Sequence, residues 1–300
     1  MPRRPRLVPV TPIRETRTLP SATRWLAAPL RVADTLGGAA LSRLHTVASI
    51  LSLLWATGYL SIRPASWTPP VRLVMVRQLF FTAVDAVPAI VRFGIAAGIL
   101  LIVQALLWSD QIGVGADFVA PFLWRAVVRE LGPLLACLVV IGRSGVAIST
   151  ELASMVVADE FEVLEAQGID PMTYLIMPRI ISIVTSVFCL AVLLTTTMLI
   201  TGFAVGWAMG AVRVGLTSFL ELMFRKANSL DLLFFVSKTL IAGGFAGAIC
   251  CQDGVSVRGT VTDVARVSSR SVIRALSAVL AVSAFLSVLI YGRILVFKIG

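Results

Sequence analysis

Asp159-Glu160-Phe161-Glu162-Val163-Leu164-Glu165-Ala166-Gln167-Gly168-Ile169-Asp170 stands between two of the most apolar segments of a 300-residue chain. It carries five acidic residues and no basic one, in a sequence whose formal net charge is +10. Short cytoplasmic loops of membrane proteins usually gather Lys and Arg, so an acidic one needs another explanation. Its punctuation is that of a bounded helix. Gly168 is placed to end the helix in the left-handed conformation, and Asp170 with Pro171 supplies an N-cap and first residue for the next helix. Between these signals Phe161, Leu164 and Ile169 offer apolar contacts beside Glu160, Glu162 and Glu165. A solvated loop helix would account for the charge. A helix that docks on a basic soluble partner accounts for the apolar residues and the short connections as well.

The rest of the composition sets the solvent. A content of 58% hydrophobic and 14% charged residues, with a mean hydropathy of +0.93, excludes an ordinary soluble globule, where about a quarter of residues are charged. Twelve of the 26 Lys and Arg lie before residue 93 and flank apolar runs. They fit anionic lipid headgroups better than nucleic acid, which is not an expected partner. Cys137, Cys189, Cys250 and Cys251 lie in apolar segments without CxxC spacing, and His45 is the single histidine. No metal site is therefore expected. Residues 1–23 are basic and Pro-rich without a following apolar core or cleavage signal, which predicts a disordered cytoplasmic tail.

From Arg24 to about Tyr59 a polar stripe (Arg31, Asp34, Gly38, Ser42, His45, Ser49) faces an apolar one (Leu30, Ala33, Leu36, Ala40, Leu44, Val47, Leu51). This pattern predicts an amphipathic helix in the membrane interface, within a region 24–85 that precedes the spans. Five spans follow in residues 86–300: Ala86–Trp108, Ala126–Val157, Pro171–Trp207, Leu230–Cys251 and Val272–Phe297. Each is long enough to cross about 30 Å of hydrocarbon. The third is too long for one straight span, so tilt, a kink at Pro178 or an extension past the bilayer must absorb the excess.

Orientation follows from Lys and Arg. The turn Ser109–Ala120 has none, Ala208–Leu230 holds Arg213, Arg225 and Lys226, and Gln252–Arg274 holds four. The N-terminus is expected inside and the C-terminus outside, with the acidic helix, at about 158–169, on the cytoplasmic face.

The motif series carries a resemblance. Arg129-Glu130-Leu131-Gly132-Pro133, then Gly142-Arg143-Ser144-Gly145, Glu151, Glu165-Ala166-Gln167-Gly168-Ile169-Asp170-Pro171 and Pro178-Arg179 resemble the MlaE/YrbE family in order and spacing over about residues 72–297. These are permease subunits of ABC transporters that work with MCE-domain proteins on lipid transport. The resemblance implies an all-α fold, an interfacial helix plus five transmembrane helices, in a bacterial inner membrane. It implies an ABC ATPase subunit as partner, a second permease copy (the same chain or a paralogue), MCE-domain proteins, and a lipid held between the two permeases. The loop Val257–Val264 departs from the Gly-rich run that this family usually carries there.

Intramembrane charges usually face a cavity or one another. Glu151 and Lys238, with Ser144 and Arg143, are the residues that the resemblance assigns to a lipid pocket. Arg143 and Glu151 are about 12 Å apart along a helix axis, so Lys238 is the expected partner of Glu151. Arg129 and Glu130 read either as an interfacial pair or as a gate. Gly142 with Gly145, and Gly243-Gly244 with Gly247, suit close helix packing. For docking to the ATPase the expected residues are Glu160, Phe161, Glu162, Leu164, Glu165, Gly168 and Asp170, with Phe161, Glu162 and Glu165 foremost. The chain has no GxxxxGK[ST] run to hold ATP phosphates, so it is expected to bind no cofactor and to rely on the ATPase for ATP. A proton-coupled carrier built on Glu151 is the alternative. An intramembrane enzyme has no HExxH or GxSxG to work with.

Overall fold

A computed structural model of the chain describes residues 44–112, 124–210, 229–257 and 261–299. The expected tail 1–23, residues 24–43 of the amphipathic helix, residues 113–120 of the first turn, most of 208–230 and residues 258–260 lie outside them. The described residues are helical: α1 (Leu44–Ile62), α2 (Pro69–Ala83), α3 (Val87–Ile112), α4 (Ala126–Val157), α5 (Glu160–Ala166), α6 (Met172–Ala208), α7 (Ser229–Val255) and α8 (Val261–Ile299). No strand occurs among them. Contacts divide the chain into Met1–Ser49 and Ile50–Gly300, and the helix bundle is that of the second unit.

Six of these helices are long and apolar enough to cross a membrane, which makes the chain a multi-pass, all-α membrane protein. Five correspond to the expected spans. The sixth is α1, the least hydropathic of them at 1.2, within the region assigned to the interface. The first span also needs correction at its start. Pro69 and Pro70 fill the opening positions of α2, where no N–H is required. A 3-10 turn at Val84–Ala86 then passes α2 directly into α3, so the apolar helical run begins at Pro69 rather than Ala86.

The segment Gln252–Arg274 is likewise mostly helix rather than loop. α7 continues to Val255, and α8 starts at Val261. Val264, Ser268, Ser271, Ala275 and Val279 recur at helical spacing and are buried, while Arg266 and Arg270 fall on the exposed side. Ser268 bonds Thr150 of α4 at 2.7 Å. Arg266 and Arg270, two of the basic residues of this stretch, stand on the exposed face of a packed helix.

α6 lies at the centre, against α2, α3, α4 and α7. Its buried stripe Ile180, Ile183, Val187, Leu190, Leu194 and Met198 follows the 3.6-residue period. α7 approaches closely because a Cβ at Gly243 would stand 3.2 Å from Val184 Cα, and one at Gly247 would stand 3.4 Å from Ile180 Cα. Gly145 packs on Cys250, but a Cβ at Gly142 would meet nothing within 4 Å. Gly142 is not a packing glycine.

α4 and α6 have 32 and 37 residues, or roughly 48 and 55 Å at 1.5 Å per residue. Both exceed about 30 Å of hydrocarbon, so each must tilt or extend past it. α4 contains two π turns, Ala126–Leu131 and Ile141–Gly145, and α6 opens with a third at Met172–Ile176. The third precedes Pro178, whose missing N–H such a wide turn accommodates, and the helix continues through it.

Candidate functional site

The acidic segment forms α5, seven residues long, with no buried side chain. Asp159 enters it with φ 57°, a left-handed conformation that Asp tolerates better than most residues. At the other end Gly168 has φ 76°. Its N–H bonds Glu165 O at 2.9 Å, and Ile169 N–H bonds Leu164 O at 3.0 Å, the paired bonds of a Schellman ending. Asp170 then caps α6. Its Oδ1 accepts from Met172 N–H at 3.1 Å, and its Oδ2 accepts from Thr173 N–H at 3.2 Å and from Thr173 Oγ1 at 2.6 Å. Both boundary residues stand where the sequence puts them.

The exposed surface of α5 differs from expectation in two residues. Phe161 is partly buried against the chain's own core, so its ring also holds α5 to the helices beneath it. Val163, which the sequence did not single out, is 54% exposed. Glu160, Glu162, Glu165 and Ile169 are also exposed, and Leu164 is half-buried.

Among the described residues, four ion pairs join the long helices. Arg129 of α4 meets Asp231 of α7, both buried, and the Arg129 guanidinium lies 5.3 Å from the Phe234 ring centre. Lys238 Nζ of α7 stands 2.5 Å from Glu130 Oε2 and donates to Ser287 Oγ of α8 at 3.0 Å. Ser287 in turn lies 2.8 and 2.9 Å from the two Glu130 oxygens. Arg179 Nη2 of α6 is 2.7 Å from Glu151 Oε1 of α4. Asp253 of α7 pairs with Arg274 of α8. Buried charge is tolerated only when paired and hydrogen-bonded, and the four pairs tie α4, α6, α7 and α8 together.

This pairing corrects the expected Glu151–Lys238 contact. Lys238 binds Glu130, and Glu130 and Glu151 are separated along α4 by roughly 30 Å. The first two pairs and the last two therefore belong to opposite halves of the bundle, and Glu151–Arg179 lies toward α5. Arg129 and Glu130 do not pair with each other; adjacent helical positions point apart, and each reaches a different residue of α7.

The four expected pocket residues are not brought together within one chain. Ser144 is fully buried, and its hydroxyl has no partner among the described residues. Arg143, the next residue, is turned outward to α2, 3.8 Å from Asp85. Glu151 is 54% exposed and Lys238 3% exposed. Arg179, Asp231 and Ser287 were missed by sequence reasoning. Asp231 had a usable signal, because it lies seven residues before Lys238 and so on the same face of an apolar helix. Ser287, a lone serine among apolar residues, had none.

Comparison with known proteins gives a consistent result. The family model described as Permease MlaE matches residues 75–289. A probable ABC transporter permease protein of Rickettsia felis is 25% identical over 248 residues, covering 82% of this chain and 92% of its own length. One from Rickettsia typhi is 26% identical over 208 residues, 69% of this chain and 79% of its own. The Arabidopsis thaliana protein TRIGALACTOSYLDIACYLGLYCEROL 1, chloroplastic, is 28% identical over 196 residues, 63% of this chain and 53% of its own.

Proposed function

The chain belongs to the MlaE permease family, and from that premise we propose that it is the membrane-spanning half of an ABC transporter for a long-chain lipid. ATP is bound and hydrolysed by a separate ATPase subunit, and this chain binds no cofactor itself. Two permease copies enclose the lipid, and MCE-domain proteins exchange it on the far side. The N-terminus is cytoplasmic and the membrane is the bacterial inner membrane. The likeness to a plant protein named for a galactosylated diacylglycerol supports a lipid as cargo.

The observation that carries the reading is α5. It is acidic, wholly exposed apart from the anchoring ring of Phe161 and the half-buried Leu164, and fixed at both ends by hydrogen-bonded caps. It stands where α4 and α6 join. A partner that grips it moves two long helices at once. A proton-coupled carrier on Glu151 has less support. The Rickettsia relatives are probable ABC transporter permeases.

The test is co-purification with the proposed ABC ATPase subunit, comparing wild type with Glu162→Lys/Glu165→Lys. Loss of the ATPase from a folded, charge-reversed permease is the expected result. Retention at the wild-type ratio would refute docking through α5.

A further inference from the structure

The polar ties between the helices fall into two sets. Far from α5, Arg129–Asp231 and the Glu130–Lys238–Ser287 cluster join α4 to α7 and α8. Toward α5, Glu151–Arg179, Thr150–Ser268 and Asp253–Arg274 join α4, α6, α7 and α8. Between Glu130 and Thr150, α4 runs roughly 30 Å. Among the described residues, its one polar side-chain tie to another helical run in that interval is made by Arg143. That tie is loose: Nη1 donates to Phe81 O at 3.4 Å, and Nη2 stands 3.8 Å from Asp85 Oδ2.

The backbone is irregular at the same height. α4 opens into the π turn Ile141–Gly145, where Val146 N–H bonds Ile141 O, five residues back. Arg143 leaves from this turn and meets the neighbouring run at its own break, the 3-10 turn Val84–Ala86 between α2 and α3. Short π and 3-10 stretches inside long helices often mark hinges. α7 carries Gly243-Gly244 within about two turns of Cys250, which packs on Gly145, and π turns and glycines are where helices kink. By contrast, α6 and α8 pass through this height as unbroken α-helix. The π turn also has room to change. A Cβ at Gly142 would meet nothing within 4 Å. Ser144 is buried with no partner among the described residues, whereas Ser149, Thr150 and Ser268 each bond a carbonyl of their own helix. A buried hydroxyl without a partner is unfavourable, so the polar groups of the turn do not lock this winding of α4.

We propose that the bundle flexes at this height. The corner formed by α4, α5 and α6 tilts as one block against the half held by Arg129–Asp231 and Glu130–Lys238. α4 bends at Ile141–Gly145 and the α2–α3 run bends at Val84–Ala86, while α6 and α8 curve smoothly through. Arg143 straps the two breaks to each other, so that they open together. A pull on α5 then changes the angle between the two halves and leaves both sets of pairs intact. The inference rests on the helix bundle and goes beyond docking of an ATPase; a chain whose α5 binds no ATPase still flexes.

The test is hydrogen exchange of the full chain in phospholipid nanodiscs, without ATPase, resolved to single amides by fragmentation in the mass spectrometer. The amides of residues 144–147 are expected to exchange on the order of tenfold faster than those of 152–156, although the latter lie nearer the water at α5. Gly142→Ala fits the open space and favours regular helix, so it should slow exchange at 144–147 on the order of fivefold and leave 152–156 unchanged. Arg143→Gln removes the strap and should speed exchange at residues 85–87 as well as at the π turn. Exchange that simply declines along α4 away from α5 overturns the proposal, because solvent access alone would then set it. So does a folded Gly142→Ala chain with unaltered exchange at 144–147. An Arg143→Gln chain in which only α4 responds overturns the strap. Loss of ATPase binding in Glu162→Lys/Glu165→Lys has no bearing on these rates, so the two readings fail separately.

Discussion

Replacing Lys238 by Met should destabilise the bundle by about 3 kcal/mol, and most of that loss should vanish when Glu130 is also made Gln. Lys238 is 3% exposed and gives its three donors to Glu130 Oε2, Ser287 Oγ and Arg129 O. Removing one member of a buried pair costs about 3–5 kcal/mol, because the other charge is left uncompensated. The lower end applies here, since Glu130 is 36% exposed and keeps the Ser287 hydroxyl. In Glu130→Gln/Lys238→Met no charge remains, Gln can still take the Ser287 bond, and Met fills much of the lysine's volume. A loss of about 1 kcal/mol is expected, about 2 kcal/mol less than that of Lys238→Met alone. By the scaling for domains of this size, the single variant should melt about 6–12 °C lower. Thermal unfolding in nanodiscs, followed by tryptophan fluorescence, measures all three proteins under one condition. If the double variant loses the sum of the two single losses, the residues do not act as a pair and the assignment is wrong.

Gly132→Ala would push a Cβ into Thr195 Oγ1, a contact that a stiff β-branched side chain cannot easily yield. It should cost about 1–3 kcal/mol and be rescued by Thr195→Ala, whose hydroxyl has no partner among the described residues; failure of that rescue in the same melting assay would count against the packing. Gly168→Ala should cost about 1 kcal/mol, because φ of 76° is strained for any side chain, and hydrogen exchange should speed up locally at Ile169 and Gly168. Glu151→Gln weakens the bond to Arg179, whose Nε and Nη1 already lack partners among the described residues. A loss of about 2 kcal/mol is expected, whereas no change in melting would mean that the contact contributes nothing.

The spans were legible because each is a long apolar run, and hydropathy needs no tertiary information. The ends of α5 were equally legible, since Gly168, Asp170 and Pro171 act through their own backbone neighbours. Side-chain partners were not. Glu151 and Lys238 were the obvious charges, yet which charges meet depends on the relative shift of two helices along their axes. A sequence does not state that shift. The start of α8 was misread for a related reason: four basic residues in a stretch of mixed polarity look like a loop until Ser268 and Ser271 are known to face α4 and α7. The core contact of Phe161 was not legible either, because an apolar residue in an exposed helix can serve a partner or its own core equally well.

The placement of the polar residues also explains why α4, rather than α6, carries most of the motif. α6 is the packing centre, and its contribution is a buried apolar stripe that many side chains could supply. α4 instead holds Arg129 and Glu130 at one end, Arg143 at the level of Asp85, and Thr150 and Glu151 at the other. Arg129 and Glu130 reach α7, Arg143 the α2–α3 junction, Thr150 α8 and Glu151 α6, so each needs a particular residue type at a particular height. Toward α5 the chain forms a closed corner: α4 and α6 are joined both through α5 and through Glu151–Arg179. Such a corner resists bending. The first irregular backbone beyond it along α4 is the π turn Ile141–Gly145, where Gly142 has open space beside it and Ser144 is buried without a partner among the described residues. The regular bonding of α4 is therefore interrupted at its Arg129–Glu130 end and again midway, and not in the stretch Val146–Val157 that leads to the corner at α5.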